Sequence, residues 1–476
     1  MARKETANGL PESTQLAVIG GGPGGYAAAF EAVKQGLEVC LINDEPQVGG
    51  VCLLRGCIPS KTLLEVTELL HASEAAETMG VRFEPPQIDP ERLREWKDDV
   101  IATLTGGLAD LCKQRGVKLI QARASFKDSR TLAIEGEQAS GDLGFEQAII
   151  ATGSRPASLA DLDIASSDRI MDSSDALELA EVPDSLLVVG GGYVGLEMGM
   201  VYQSLGSKVT LVEMADRLMP NADEELVKPL AKALESRFEA IHLKTKVAGF
   251  KETRRQVTVT LDDGDRQREQ RFGRVLVAVG RIPNSEDLAL ENTRAERDEA
   301  GFIQVDARGC TRDERIYAIG DVSGGMLLAH EAMHQGKVAA RAIAGQPAEF
   351  DARVVPAVVY TVPQLAWCGL TGQQAKQQDR EIKALRFPWQ ASGRALTMGA
   401  GDSGMTQLIV APEDGRILGV GLVGPQAEAL IGEAVLAIEM GAVAEDLALS
   451  VHPHPTLTET LGEAAELFLG GSTHYG

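Results

Sequence analysis

The chain has 476 residues, 44% of them hydrophobic, which is enough for roughly three domains of the usual 100–200 residues. Its formal net charge of −23 sets it against nucleic-acid phosphates and anionic membranes, and no run reaches the ~18 apolar residues of a transmembrane helix. Six cysteines in this length make no disulfide framework. Such acidity serves solubility or the docking of a basic partner domain. Met1–Gln15 is polar, mixed in charge and without the apolar core of a secretory signal; it reads as a floppy extension of a cytoplasmic protein.

From there the elements follow in order. Leu16–Gly20 is an apolar strand that enters Gly20-x-Gly22-x-x-Gly25, a helix runs from Tyr26 to Gln35, and Leu37–Ile42 is a second strand. Helices are predicted over Lys61–Thr78 and Asp89–Arg115, the latter opened by Asp89-Pro90, and a strand over Gln147–Thr152. The strand, glycine turn and helix then recur as Leu186–Val189, Gly190-x-Gly192-x-x-Gly195 and Leu196–Leu205, with the strand Lys208–Val212 beyond. Arg274–Val279 and Arg315–Ile319 each read as a strand ending in glycine. Ala344–Phe350 is a linker, after which strands (Ala357–Tyr360, Thr406–Val410, Arg416–Val423) mix with a helix, Ala427–Glu439. The fold class is α/β, with two Rossmann-like nucleotide-binding domains and a C-terminal α+β domain.

Each glycine turn lets the backbone approach a pyrophosphate at a helix N-terminus. An acidic residue for a ribose belongs at the end of the following strand. After the first turn that place holds Asn43, with Asp44 and Glu45 beside it; after the second it holds Glu213. A carboxylate there repels a 2′-phosphate, and Arg217 is a single basic residue, so the second site is read as one for NAD rather than NADP.

Between these units lies Gly49-Gly50-Val51-Cys52-Leu53-Leu54-Arg55-Gly56-Cys57-Ile58-Pro59-Ser60-Lys61. No second Cys/His cluster accompanies the pair, which counts against a metal site. In a regular helix, residues five apart have Cα atoms about 8.6 Å apart, whereas a disulfide tolerates only about 7 Å. A bonded pair therefore needs a distorted backbone, for which Gly56 supplies the freedom; two buried thiols that never bond are the other reading. A strained pair is easily reduced, as catalysis requires.

The string Gly49–Lys61 resembles the redox signature of the class I pyridine nucleotide–disulfide oxidoreductases, and among them the dihydrolipoamide dehydrogenases. The resemblance runs from about Leu16 to Leu467. It takes in Ala151-Thr152-Gly153, Val277–Asn284 with Gly280, Ile319-Gly320-Asp321-Val322, and Met326–His330 with Ala329. It implies an FAD-binding domain over 16–155 and 284–350, an NAD-binding domain over 156–283 and a dimerisation domain over 351–476. It implies FAD at Gly20, Gly22, Gly25, Asn43 or Asp44, Lys61, Thr152, Gly153, Asp321 and Ala329. NAD falls to Gly190, Gly192, Tyr193, Gly195, Glu213 and Gly280, with Tyr193 as a gate.

By the same resemblance Cys52 and Cys57 are the redox pair, Lys61 pairs with Glu197, and His454 is a base oriented by Glu459. His454 precedes a cis Pro455, and His452 is a solvent-facing neighbour. Base and cysteines would come from different subunits of a homodimer. The partners implied are lipoyl domains on an acyltransferase core or a glycine-cleavage H protein. A reductase of another small disulfide is the alternative enzyme; a flavin-binding redox sensor or scaffold is the non-enzymatic one. Five residues depart from the family pattern at four places: Asn43, Leu54-Arg55, Gln335 and Gln364.

Overall fold

The structure is a computed structural model that describes residues 10–159 and 167–476. The chain divides into two compact units, the first built from residues up to 60, 91–157 and 280–351, the second from 61–90, 158–279 and 352–476.

The first unit carries a parallel sheet in the order Lys118–Gln121, Val39–Asn43, Ser13–Ile19, Ser140–Ile150. All five residues of Val39–Asn43 are buried, as expected of a strand covered on both faces. Ser140–Ile150 is long enough to serve two neighbours on its other side. Its first half pairs antiparallel with Thr131–Glu135, and its last residues pair in parallel with Ile316–Ala318. Two helices, Pro23–Lys34 and Ala329–Ile343, close against each other through glycine. A Cβ on Gly336 would lie 2.5 Å from the Gly24 carbonyl oxygen, so only hydrogen fits there. Arg341 closes the pair with a 2.7 Å bond to Glu31. A short ribbon of Ser154–Pro156 and Arg281–Pro283 marks where the chain leaves this unit and returns.

The expected floppy extension needs correction at its end. Residues 1–9 lie outside the described residues, but Leu10 is 1% exposed and Ser13 already begins the central strand. Its apolar side chain joins the core around Phe126 and Leu143, a burial that the polar residues around it concealed.

The second unit holds another parallel sheet, in the order Ala240–His242, Lys208–Val212, Ser185–Val189, Arg274–Val277, Ile170–Met171. An antiparallel meander, Lys246–Glu252, Val257–Asp262 and Gln267–Phe272, adjoins it in the chain. The C-terminal part is a five-stranded antiparallel sheet, Ala357–Val359, Gln364–Gly369, Ile417–Gly424, Met405–Val410, Lys383–Pro388. The helix Ala427–Glu439 packs on it. The helix Glu224–Arg237 also meets this sheet, where a Cβ on Gly421 would lie 2.0 Å from Leu226 Cδ1. The two glycine-turn units and the α+β C-terminal part agree with the class read from sequence. No helix among the described residues is long and apolar enough to cross a membrane.

Candidate active site

The cysteine segment is two helices with a break between them. Gly50–Arg55 ends at Gly56, and Cys57–Ala75 begins at once. Gly56 has φ −147° and ψ −115°, and a Cβ there would lie 2.7 Å from the Val51 carbonyl oxygen. The distortion expected between the cysteines is therefore present, at the residue expected to allow it. Cys52 is half-buried and Cys57 exposed. The helix bearing Cys52 is seated on the first glycine turn. Gly49 N–H donates to the Gly21 carbonyl at 2.8 Å, and a Cβ on Gly50 would lie 2.6 Å from Gly22 Cα. Burial raises the Tyr26 hydroxyl above its ordinary value, and Cys52 and Cys57 push it the same way.

In the first turn, Gly20 and Gly25 cannot carry a side chain: their Cβ atoms would lie 2.2 Å from the Ala151 oxygen and 1.9 Å from the Gly20 oxygen. Gly22 caps Pro23–Lys34 with no side-chain cap, so the first-turn N–H groups of that helix remain for an anion. Asn43 accepts from Gly21 N–H at 3.2 Å and donates to the carbonyls of Glu45 and Gln47 at 2.8 and 3.0 Å. Asp44 is exposed, 3.7 Å from Arg123.

Thr152 and Gly153 are tied to Asn284: Thr152 Oγ1 donates to its carbonyl at 2.7 Å, and Asn284 N–H donates to the Gly153 carbonyl at 2.9 Å. Ser154 Oγ donates to Asp321 Oδ2 at 2.5 Å, and Arg281 donates to Ser154 Oγ at 2.6 Å and stands 3.8 Å from Asp321. Ala329 opens its helix. Gly320 N–H donates to Gln335 Oε1 at 2.7 Å, while Gln335 Nε2 faces the buried Glu331 carboxylate at 3.4 Å. A glutamate at 335 would set its carboxylate against that of Glu331, which accounts for glutamine there. Gly280 is exposed with φ 129°.

The second turn repeats the construction. Gly190 and Gly195 would carry Cβ atoms 2.3 Å from the Ala278 oxygen and 2.1 Å from the Gly190 oxygen, while Gly192 faces open space. Glu213 accepts from Gly191 N–H at 2.6 Å and Ala215 N–H at 2.7 Å. Arg217 is engaged by the Pro220 carbonyl and Gln373. Tyr193, 37% exposed, starts the helix Tyr193–Ser204.

Lys61, one turn after Cys57 in the same helix, meets Glu197 at 2.9 and 3.2 Å. Glu197 is 3% exposed, and burying that carboxylate demands this partner. Glu197 also accepts from Tyr360 N–H at 2.9 Å, and Lys61 Nζ lies 4.6 Å from the centre of the Tyr360 ring.

His454 Nδ1 is bonded to Glu459 Oε1 at 2.8 Å, and Glu459 Oε2 accepts from Thr456 N–H at 2.6 Å. This holds the ring through Nδ1 and leaves Nε2 as its second nitrogen. The His454–Pro455 bond is cis. His452, expected to face solvent, instead turns inward and bonds Glu433 at 2.8 Å, because that carboxylate on the neighbouring helix gives its ring a buried partner. Ser154, Tyr360 and Glu433 were not anticipated, and Arg281 only as part of the string Val277–Asn284; each is identified by a contact to an anticipated residue or its neighbour. Among the described residues no cluster suits a metal ion.

Residues 14–336 match the family described as pyridine nucleotide-disulphide oxidoreductase, and 355–465 match its dimerisation domain. The chain is 44% identical over 460 residues to the dihydrolipoyl dehydrogenase of Vibrio parahaemolyticus, covering 96% of each. It is 45% identical over 454 residues to that of Thermus scotoductus, covering 95% of this chain and 96% of the relative. Among solved structures it resembles LpdA from Mycobacterium tuberculosis (TM-score 0.88, 25% identity, 95% of this chain and 99% of that one). It also resembles RclA, the HOCl-induced flavoprotein disulfide reductase of Escherichia coli (TM-score 0.84, 26% identity, 95% and 99%). FAD and NAD are the cofactors of the family. The two turns, each with an uncovered helix N-terminus beside a glycine cradle, fit two dinucleotides.

Proposed function

Because the chain belongs to the pyridine nucleotide-disulphide oxidoreductases, we propose that it is a dihydrolipoyl dehydrogenase, taking two electrons and two protons from a lipoyl dithiol and reducing NAD. The observation that carries this reading is the cysteine turn: two sulfur-bearing helices broken at Gly56, with Lys61 one turn beyond and held by Glu197.

His454, held by Glu459, takes a proton from one substrate thiol. The thiolate attacks Cys52 Sγ, the Cys52–Cys57 bond breaks, and Cys57 leaves as a thiolate. The second substrate thiol, deprotonated in turn, attacks the mixed disulfide; Cys52 leaves, and the substrate departs as a cyclic disulfide. Lys61 brings positive charge one turn from Cys57, which favours the thiolate. FAD, held at the first glycine turn, would supply the acceptor for the pair of electrons, and NAD, held at the second, would supply the hydride acceptor.

FAD is assigned to Gly20, Gly22, Gly25, Asn43 or Asp44, Lys61, Thr152, Gly153, Asp321 and Ala329, and NAD to Gly190, Gly192, Tyr193, Gly195, Glu213 and Gly280. The dimerisation domain supports a homodimer, in which base and cysteines come from different subunits. Its partners are lipoyl domains on an acyltransferase core or a glycine-cleavage H protein. Cycling thiols fit a cytoplasmic location.

The test mixes purified holoenzyme with dihydrolipoamide and NAD. Rapid NADH formation is expected. No NADH from dihydrolipoamide, with NADH-driven reduction of another small disulfide, would overturn the lipoyl assignment in favour of a different disulfide reductase.

A further inference from the structure

Two of the five residues that depart from the family pattern, Asn43 and Arg55, belong to one structural connection. Asn43 is 8% exposed, and both faces of its amide bond to backbone. Its oxygen accepts from Gly21 N–H at 3.2 Å, and its two hydrogens go to the carbonyls of Glu45 and Gln47 at 2.8 and 3.0 Å.

Glu213 shows why this residue is an amide. It occupies the same place after the second turn and likewise accepts from the middle of the loop, at Gly191 N–H. There the downstream chain offers another N–H, at Ala215, and a carboxylate satisfies both. After the first turn the downstream groups are carbonyls. A carboxylate has no hydrogen to give them, so a residue that both accepts and donates is required.

The path that Asn43 imposes on residues 44–47 sets the Glu45 carboxylate. That carboxylate grips Arg55 through both guanidinium nitrogens, one bond at 2.8 Å and the other shorter. A two-point grip fixes orientation as well as distance. Arg55 is the last residue of the helix that carries Cys52, immediately before the Gly56 break that precedes Cys57. At its other end the same helix rests on the first glycine turn through Gly49 and Gly50.

We propose that Asn43, Glu45 and Arg55 are positioning residues that form a strut from the first nucleotide turn to the cysteine turn, setting how readily Cys52 and Cys57 close on each other. The inference rests on reading these two as the redox pair. None of the three residues takes part in sulfur chemistry. They act by raising the effective concentration of one sulfur at the other, which favours the closed form.

The experiment equilibrates holoenzyme with glutathione buffers: one protein disulfide and two glutathione thiols exchange for a protein dithiol and one glutathione disulfide. Thiols are then trapped and the 52–57 peptide quantified by mass spectrometry. Asn43→Asp keeps the shape and loses the donors; Glu45→Gln and Arg55→Gln break the grip. Each is expected to lower the equilibrium constant for closing the pair by about threefold to tenfold, or about 15–30 mV less negative at ~30 mV per tenfold. Arg55→Lys should fall between Arg55→Gln and wild type. Asn43→Asp combined with Arg55→Gln should shift no further than the larger single change, because both open one strut.

Unchanged constants in variants that keep flavin would overturn the strut while leaving the redox pair intact, as would shifts that multiply. Movement to more negative potential would overturn it as well, since lost positive or added negative charge disfavours thiolate and favours the closed form. A wild type with no trappable 52–57 disulfide at any ratio would overturn the redox pair and the strut together.

Discussion

A methyl group at position 56 would sit 2.7 Å from the Val51 oxygen, closer than real Cβ atoms approach a carbonyl. Gly56→Ala should therefore force the turn to shift and lower stability by about 1–3 kcal/mol, read as a drop in Tm, with dihydrolipoamide turnover falling further than stability explains. His454→Gln should keep the fold and reduce turnover by about 10²–10⁴-fold; near-normal turnover would remove His454 as the base. His71 offers a pH test. Burial, with help from Arg237, pushes its imidazole from 6.5 down to about 4, and its Nε2 lies 3.0 Å from Ser204 Oγ. Its folded value is below the unfolded one, so its contribution is full above pH 6.5 and is lost as pH falls towards 4. The total is about 3 kcal/mol. Denaturant melts across that window should show the loss in wild type and a smaller one in His71→Gln. Most anticipated side chains were legible because their chemistry is local: a glycine in a turn, a carboxylate five residues from a histidine. Asn43 was not, since its meaning lies in two downstream carbonyls whose direction no residue identity reveals.

Elements built on periodicity or glycine punctuation came through well. The predicted Ala427–Glu439 helix has those bounds, and the strand Lys208–Val212 is the strand observed. Gln364–Gly369 was missed although it lies inside its sheet, because nearly every residue is buried and no alternation announces it. Lys383–Pro388 was missed for the opposite reason: it is an edge strand with mostly uncovered side chains. The meander Lys246–Phe272 alternates well only in its middle strand, Val257–Asp262. The contact between the helices Pro23–Lys34 and Ala329–Ile343 yields a prediction of its own. Gly336→Val must push the helices apart, at a cost of about 1–3 kcal/mol or more. A lower Tm and easier loss of flavin on gel filtration should report it.

At the scale of the whole molecule, the −23 charge and the dimerisation domain make separate demands. If the acidic surface docks a basic partner domain, affinity should weaken steeply as salt rises; a constant Kd would sink that idea. Mixing Cys57→Ser with His454→Gln homodimers under conditions of subunit exchange should recover activity, since each hybrid then has one site with an intact cysteine pair and an intact base. No recovery would place both groups of each site on one chain. Sequence alone revealed the acidity but not where apolar side chains lie uncovered. In the C-terminal part Leu436, Met440, Leu449 and Val451 are 63%, 77%, 73% and 99% exposed, and Val451 directly precedes His452. If the homodimer covers these residues, a dissociated subunit bares them as an adhesive, and mutual repulsion among highly anionic copies slows indiscriminate sticking. A dilute, salted preparation should then lose material to turbidity and vessel walls before any chemical inactivation, whereas the same protein kept concentrated, with its subunits engaged, should store well.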